Sequence, residues 1–167
     1  MNLVRVLLLL APVALASALP MLAGCSRVEQ APEISYTLLD GRRSELAALR
    51  GHVVLVNFWA TDCAPCVEEM PAMVANWRRF SPQGFETLAV AVQTDPPALV
   101  SDFAQSRALP FGVVIDNTGE VARRFGNVQF TPTSVLINKR GEIVRRWVGK
   151  TDFAAIAPLI EQLERDG

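Results

Sequence analysis

The sequence predicts an α/β domain, a central mixed sheet with helices on both faces, and three observations carry that prediction. Strand-like runs alternate with helical stretches through most of the chain. One run, "HVVLVNFWA" from His52 to Ala60, is apolar without alternation, and the series ends in a hairpin and a last helix. A continuous β-branched and aromatic run marks a strand buried on both faces, as parallel neighbours covered by helices require. Alternating strands and helices build such a sheet, and a closing hairpin adds antiparallel strands to it.

In chain order, "ISYTLLDGRRSELAALRG" reads as a short strand, an Asp40-Gly41 turn and a helical turn opening at Ser44. The buried strand follows, with His52 expected in the loop before it and given no catalytic role. Residues 64 to 80 read as helix, and Pro71 is expected to kink it after Met70. "FETLAVAVQ" is the next strand, Pro96 and Pro97 open a helix to about Arg107, and "FGVVIDNTG" gives a strand and turn before a short helix over 119 to 125. After "FTPT", the segment "SVLIN", a turn over Lys139 to Gly141, and "EIVRRWVG" form the hairpin, and 152 to 165 is an amphipathic closing helix. No internal repeat or low-complexity segment interrupts this order.

The chain has 167 residues, 50% of them hydrophobic and 20% charged, which suits one globular domain. The opening "MNLVRVLLLLAPVALASALPMLAGC" carries the single charge Arg5 and then an apolar stretch ending in small residues. This is expected to be an export signal over residues 1 to 24. Pro12 and Pro20 argue against a spanning helix, which is the alternative. "LAGC" resembles the lipobox of bacterial lipoproteins, and that resemblance implies cleavage before Cys25 and lipidation of it. Residues 25–33 are then expected as a tether and 34–167 as the domain, held in the cell envelope and facing the periplasm or exterior. The balance of 16 basic residues, Arg5 among them, against 17 acidic ones is too even for a nucleic-acid surface. With Cys25 lipidated, Cys63 and Cys66 are left as each other's partner, and a larger disulfide framework is excluded.

The stretch "NFWATDCAPCVEEMP" places these two thiols at the first turn of the helix. There the N-terminal amides and the helix dipole favour thiolate at the leading sulfur, and Pro65 fixes backbone dihedrals where its missing N–H is no loss. A static brace is a poor use of so small a loop, because it removes little unfolded-state entropy. A zinc site calls for about four ligands, whereas the chain offers one histidine and no second cysteine pair. Neither a metal nor another cofactor is expected.

"VVLVNFWATDCAPCVEEMP", with "FTPTSVLIN" after it, resembles the TlpA/ResA-like branch of extracytoplasmic thioredoxin-like proteins, over about residues 34 to 165. The resemblance implies a thioredoxin fold in which the N-terminal strand and the strand and helix at 113 to 125 are additions. It implies that Cys63 attacks a substrate disulfide and Cys66 resolves the mixed disulfide. Pro132 would be a cis-proline beside the pair, leaving the Thr131 backbone free to bind an extended substrate segment. Glu69, three residues beyond Cys66 and on the same helical face, would handle protons, with an ordinary surface carboxylate as the other reading; Glu68 points elsewhere. Trp59 is a candidate for substrate contact or else core beneath the pair. The partners implied are a protein disulfide, as in cytochrome c maturation or copper-site assembly, and a membrane thiol donor, with the protein itself a monomer.

Two other functions compete. A thiol peroxidase needs a threonine three positions before the reactive cysteine, where Ala60 stands. A Sco-type copper chaperone needs a CxxxC pair and a later histidine, and this chain has neither.

Asp62 is the unexpected residue, standing where related proteins commonly have tryptophan. Two unit charges about 6 Å apart repel by about 0.7 kcal/mol in water and about 2.8 kcal/mol at an effective dielectric of 20. That is comparable with the helix dipole acting the other way, so Asp62 is expected to make Cys63 less acidic and the pair reducing. Alternatively Asp62 serves as the helix N-cap, turned from the sulfur.

Overall fold

A computed structural model describes residues 28–166. The expected signal, residues 1–24, and the lipidation site Cys25 lie outside the described residues. Seven strands and four helices follow one another as β1 (Ser35–Thr37), β2 (Arg43–Glu45), β3 (Val53–Trp59), α1 (Ala64–Phe80), β4 (Phe85–Ala91), α2 (Pro97–Ser106), β5 (Gly112–Ile115), α3 (Glu120–Arg124), β6 (Thr133–Ile137), β7 (Ile143–Val148) and α4 (Phe153–Arg165). The helix expected at 64 to 80 has those limits, and the alternation from β3 to α4 is the one read from the sequence.

Five strands form the central sheet in the order β5-β4-β3-β6-β7. The β3–β4 and β4–β5 pairs are parallel, while β3–β6 and β6–β7 are antiparallel, so the sheet is mixed as expected. The run β3-α1-β4-α2-β5 steps in one direction across the sheet, and right-handed crossovers then place α1 and α2 on the same face. α4 joins them there: Met70 and Met73 of α1, Val100 and Ala104 of α2, and Phe153, Ile156 and Ile160 of α4 share one core with Val53, Leu55 and Trp59. The opposite face takes Val54, Val56 and Phe58 of β3, covered by Val121 of α3, Phe125, and the N-terminal residues Ala31, Ile34, Tyr36 and Leu46. Odd and even residues of β3 therefore feed two different cores, which is why all seven are buried.

The N-terminal region differs from the sequence reading in two places. Where a helical turn was expected from Ser44, Arg43–Glu45 pairs with β1 as an antiparallel ribbon, and a short 3₁₀ turn begins only at Leu46. The ribbon continues the Asp40-Gly41 turn, and its pairing satisfies backbone groups that the polar sequence could not have revealed. The domain also begins earlier than Ile34. Ala31 is buried and its N–H donates to Gly141 O at 2.9 Å, and Ile143 N–H donates to Glu29 O at 2.7 Å. The expected tether is therefore laid against the β6–β7 hairpin from Glu29 onward.

α1 and α4 show how local chemistry sets helix limits. The buried residues of α1, Cys66, Glu69, Met70, Met73, Asn76 and Phe80, fall at helical spacing on one face, and the helix runs on through Pro71. Asn76 Nδ2 donates to Phe153 O at 2.9 Å, tying α1 to the start of α4. At that start Asp152 is the N-cap, its carboxylate accepting from Ala154 N–H at 3.0 Å and Ala155 N–H at 3.2 Å. Asp152→Ala should lower unfolding free energy by about 1 kcal/mol, read from the urea midpoint, because two helix amides lose their acceptor. An unchanged midpoint would show that water caps this end equally well.

Candidate active site

Cys63 and Cys66 form a disulfide, with Cα atoms 5.3 Å apart. The end of β3 and the start of α1 place it. The Trp59 carbonyl still accepts from Val92 N–H, after which the chain turns through Thr61 and Asp62 into the helix. Cys63 is itself the N-cap, its sulfur accepting from Cys66 N–H at 3.3 Å, and Pro65 stands in the first turn. Cys66 is fully buried and Cys63 half-buried, so the leading sulfur is the accessible one. That asymmetry suits attack by Cys63 and resolution by Cys66.

Because Cys63 takes the cap, Asp62 does not. Its carboxylate is exposed and makes no hydrogen bond or ion pair among the described residues.

The sheet register brings the second half of the site alongside. Phe58 stands opposite Thr133 in the antiparallel β3–β6 pair, so the residues just before β6 lie beside the end of β3. These are Thr131 and Pro132, joined by a cis peptide bond. Pro132 O accepts from Gly149 N–H at 2.8 Å, whereas neither backbone group of Thr131 is bonded to the rest of the described chain. Two exposed apolar side chains flank this corner: Phe130, 68% exposed, and Val148, 66% exposed and paired with Thr133. Sequence reading did not single them out, since each looks like an ordinary strand residue.

Glu69 is buried, not a surface carboxylate. Its Oε1 accepts from Asn57 Nδ2 at 3.1 Å and its Oε2 from Thr151 N–H at 3.0 Å. Asn57 Nδ2 also donates to Ser134 Oγ at 3.0 Å, and the Thr151 hydroxyl lies 3.3 Å from the same oxygen. Burial pushes the Glu69 pKa up, against the opposing pull of the Thr151 amide, the Asn57 amide and the Lys150 charge. Glu68, one residue earlier, faces solvent and pairs with Lys150 at 2.7 Å. The helix thus separates a buried carboxyl on the face of Cys66 from an ordinary surface ion pair.

Trp59 follows the core reading and not the substrate-contact one. It is fully buried, packed on Phe103 with ring centroids 5.1 Å apart, and belongs to the same core as Cys66. As the last residue of a strand covered on both faces it has no route to a substrate. It is the floor of the site.

Asp95 was missed. It is 5% exposed, and its two oxygens accept from a single residue, Oδ2 from Thr61 N–H at 2.7 Å and Oδ1 from the Thr61 hydroxyl at 2.6 Å. An Asp before Pro96-Pro97 reads as a helix start, and its partner stands 34 residues away. This carboxylate clamps the loop that carries Asp62 and Cys63. Among the described residues no group of three His, Cys, Asp or Glu side chains is placed to hold a metal ion.

A sheet of this order, with a CxxC disulfide capping α1 and a cis-proline opposite it, defines a thioredoxin-like redox domain. The chain belongs to the AhpC/TSA family, whose model matches residues 28–146. It is 36% identical over 107 residues to the thiol-disulfide oxidoreductase ResA of Bacillus thuringiensis subsp. konkukian, a match covering 64% of this chain and 60% of that relative. Among solved structures it is similar to a Neisseria meningitidis protein described as a thioredoxin, at 37% identity and TM-score 0.77, covering 83% of this chain and 93% of that one. It is also similar to a thiol:disulfide interchange protein of the thioredoxin family from Chlorobium tepidum, at 28% identity and TM-score 0.76, covering 83% and 98%.

Two outcomes are expected from this geometry. Since burial raises the Glu69 pKa above 4.5, the unfolded chain binds fewer protons than the folded one between that value and the raised one. Stability therefore falls as pH rises through this window. Glu69→Gln removes the effect, so its unfolding free energy relative to the parent should improve as pH rises above 4.5 in urea titrations. A difference independent of pH would mean that Glu69 ionises as easily folded as unfolded. Asp95→Ala strips both bonds from the half-buried Thr61, at a cost on the order of 1–3 kcal/mol. Undiminished stability of the oxidised protein to urea would count against the clamp.

Proposed function

We propose that this chain is a thiol-disulfide oxidoreductase that reduces protein disulfides from a lipid anchor in the cell envelope. The observation that carries the reading is the pairing of an accessible, helix-capping Cys63 with a buried Cys66 and a buried carboxyl on the same helical face. The ResA relative supports the activity, although the match spans about 60% of its length. The leader and its "LAGC" end support export and lipidation at Cys25, the tether running to the domain at Glu29.

In the reduced protein the Cys63 thiolate attacks one sulfur of a substrate disulfide. A bond forms between Cys63 Sγ and that sulfur, the substrate S–S bond breaks, and its other sulfur leaves as thiolate and takes up a proton. Cys66 then gives its proton to Glu69, whose affinity for a proton burial raises, and attacks Cys63 Sγ. The second substrate sulfur leaves, and the Cys63–Cys66 disulfide closes. Two electrons pass to the substrate, and a membrane dithiol donor restores the thiols. The free Thr131 backbone offers an extended segment its hydrogen bonds, and exposed Phe130 and Val148 offer apolar contact. A surface of this breadth suits a protein chain, as presented in cytochrome c maturation or copper-site assembly, better than a small thiol.

Cys63→Ala should abolish reduction of a protein disulfide, at least about a thousandfold, while the reduced protein stays folded and loses no more than about 1 kcal/mol with its sulfur cap. Cys66→Ser should instead accumulate a mixed disulfide through Cys63, identifiable by mass spectrometry of an envelope extract. Turnover by the Cys63 variant would overturn the mechanism.

A further inference from the structure

Between the disulfide and α3 lies a cleft of about 410 Å³ whose lining includes Asp62, Thr131, Gln93, Arg123, Asn127 and Gln129. Its lining carries two charges: Asp62, next to Cys63 in the chain, and Arg123, whose guanidinium donates to Thr118 O at 2.9 Å. Arg123 and Asp62 do not pair with each other, each cation–carboxylate contact of the described chain being made elsewhere. The remaining polar lining is neutral.

Asp62 is a carboxylate without a partner among the described residues, one residue before the attacking cysteine, in a cleft shared with the free backbone of Thr131. It is also held there. The helix cap it could have made is taken by Cys63, and the preceding residue Thr61 is fixed at both its N–H and its hydroxyl by Asp95. A charge so placed has no work inside the fold. It opposes a negative charge on the neighbouring sulfur and attracts a positive one arriving with the substrate.

We propose that Asp62 is a specificity-determining residue whose carboxylate receives a lysine or arginine next to the attacked cysteine of the substrate. The proposal rests on the reading of the chain as a disulfide reductase and names its substrate class: extended segments in which a basic residue adjoins the disulfide. Binding such a residue places its cation against Asp62 and removes the repulsion opposing the Cys63 thiolate. The substrate itself thereby favours attack at the moment its disulfide is in reach. Acidic neighbours of the cysteine would meet Asp62 with like charge and be rejected.

The test uses the reduced protein and peptides that each carry a single disulfide, with Lys, Ala or Glu immediately before and after the attacked cysteine. Reduction is followed at low and high ionic strength. The expected order of kcat/KM is Lys over Ala over Glu, with about fivefold between neighbours in the series at low salt, shrinking as salt screens the exposed pair. Asp62→Asn should bring the Lys-to-Glu ratio to about one, with a far-ultraviolet melting curve confirming its fold. Turnover of all three peptides at equal rates would overturn this inference and leave the reductase reading standing. A ratio unchanged in Asp62→Asn would also overturn it. Failure to reduce any of the peptides and any protein disulfide would overturn the reductase reading beneath it.

Discussion

The seven residues of β3 have no face and no edge open to solvent. β4 and β6 take its edges, one core lies under α1, α2 and α4, and another lies under α3 and the N-terminal segment. The rest of the structure depends on this burial. A strand enclosed on all sides can meet solvent only at its ends, so the chain surfaces after Trp59 and Ala60, at Thr61 and Asp62, and the cysteines follow at the surface where α1 begins. The same register sets Thr133 opposite Phe58, which carries the Thr131–Pro132 corner to the same end. Both halves of the site are consequences of how β3 is paired.

Apolar burial on this scale leaves few places for polar groups, and the buried carboxyl of α1 is tied on both oxygens. Glu69 on α1 reaches Asn57 of β3 and the backbone before α4, and Asn57 reaches Ser134 of β6. This network spans the core beneath the disulfide, where an unpartnered carboxylate would be costly. Its bonds hold the acid in place, while burial favours its protonated form. Asp95 solves a different problem with the same chemistry. Two acceptor bonds to one loop residue fix the segment between the buried strand and the exposed sulfur. One buried acid is set for titration and the other for anchorage, and their partners rather than their identities separate the roles.

Around the exposed sulfur the surface is not uniform. Phe130 and Val148 present apolar area on the hairpin side of Pro132, while Asp62 and the polar cleft lie towards α3. A segment paired along Thr131 would run between an apolar wall and a charged one. The N-terminal segment is laid on the hairpin from Glu29, which accepts from Ile143 N–H and lines the same hollow as Phe130 and Val148.

The sequence by itself determined the order of elements, the limits of α1, the central place of β3 and the identity of the reactive pair. Those features rest on local chemistry: an unbroken apolar run, helical spacing, a proline in a first turn, two cysteines within one turn of helix. It did not disclose β2, since Arg43-Ser44-Glu45 is polar and becomes a strand only by pairing with β1. Nor did it show that Glu29 to Ala31 is already domain rather than tether. It left Trp59 between core and substrate contact, and Asp62 between cap and free charge. The tertiary structure decided these, along with the burial of Glu69 and the clamp by Asp95, because each depends on groups brought together from far along the chain: 34 residues for Asp95 and Thr61, 77 for Asn57 and Ser134, and 82 for Glu69 and Thr151. Periodicity and propensity report what a residue's near neighbours permit. Whether a carboxylate is buried, bonded or left free beside a sulfur is set by the strand that folding lays against it.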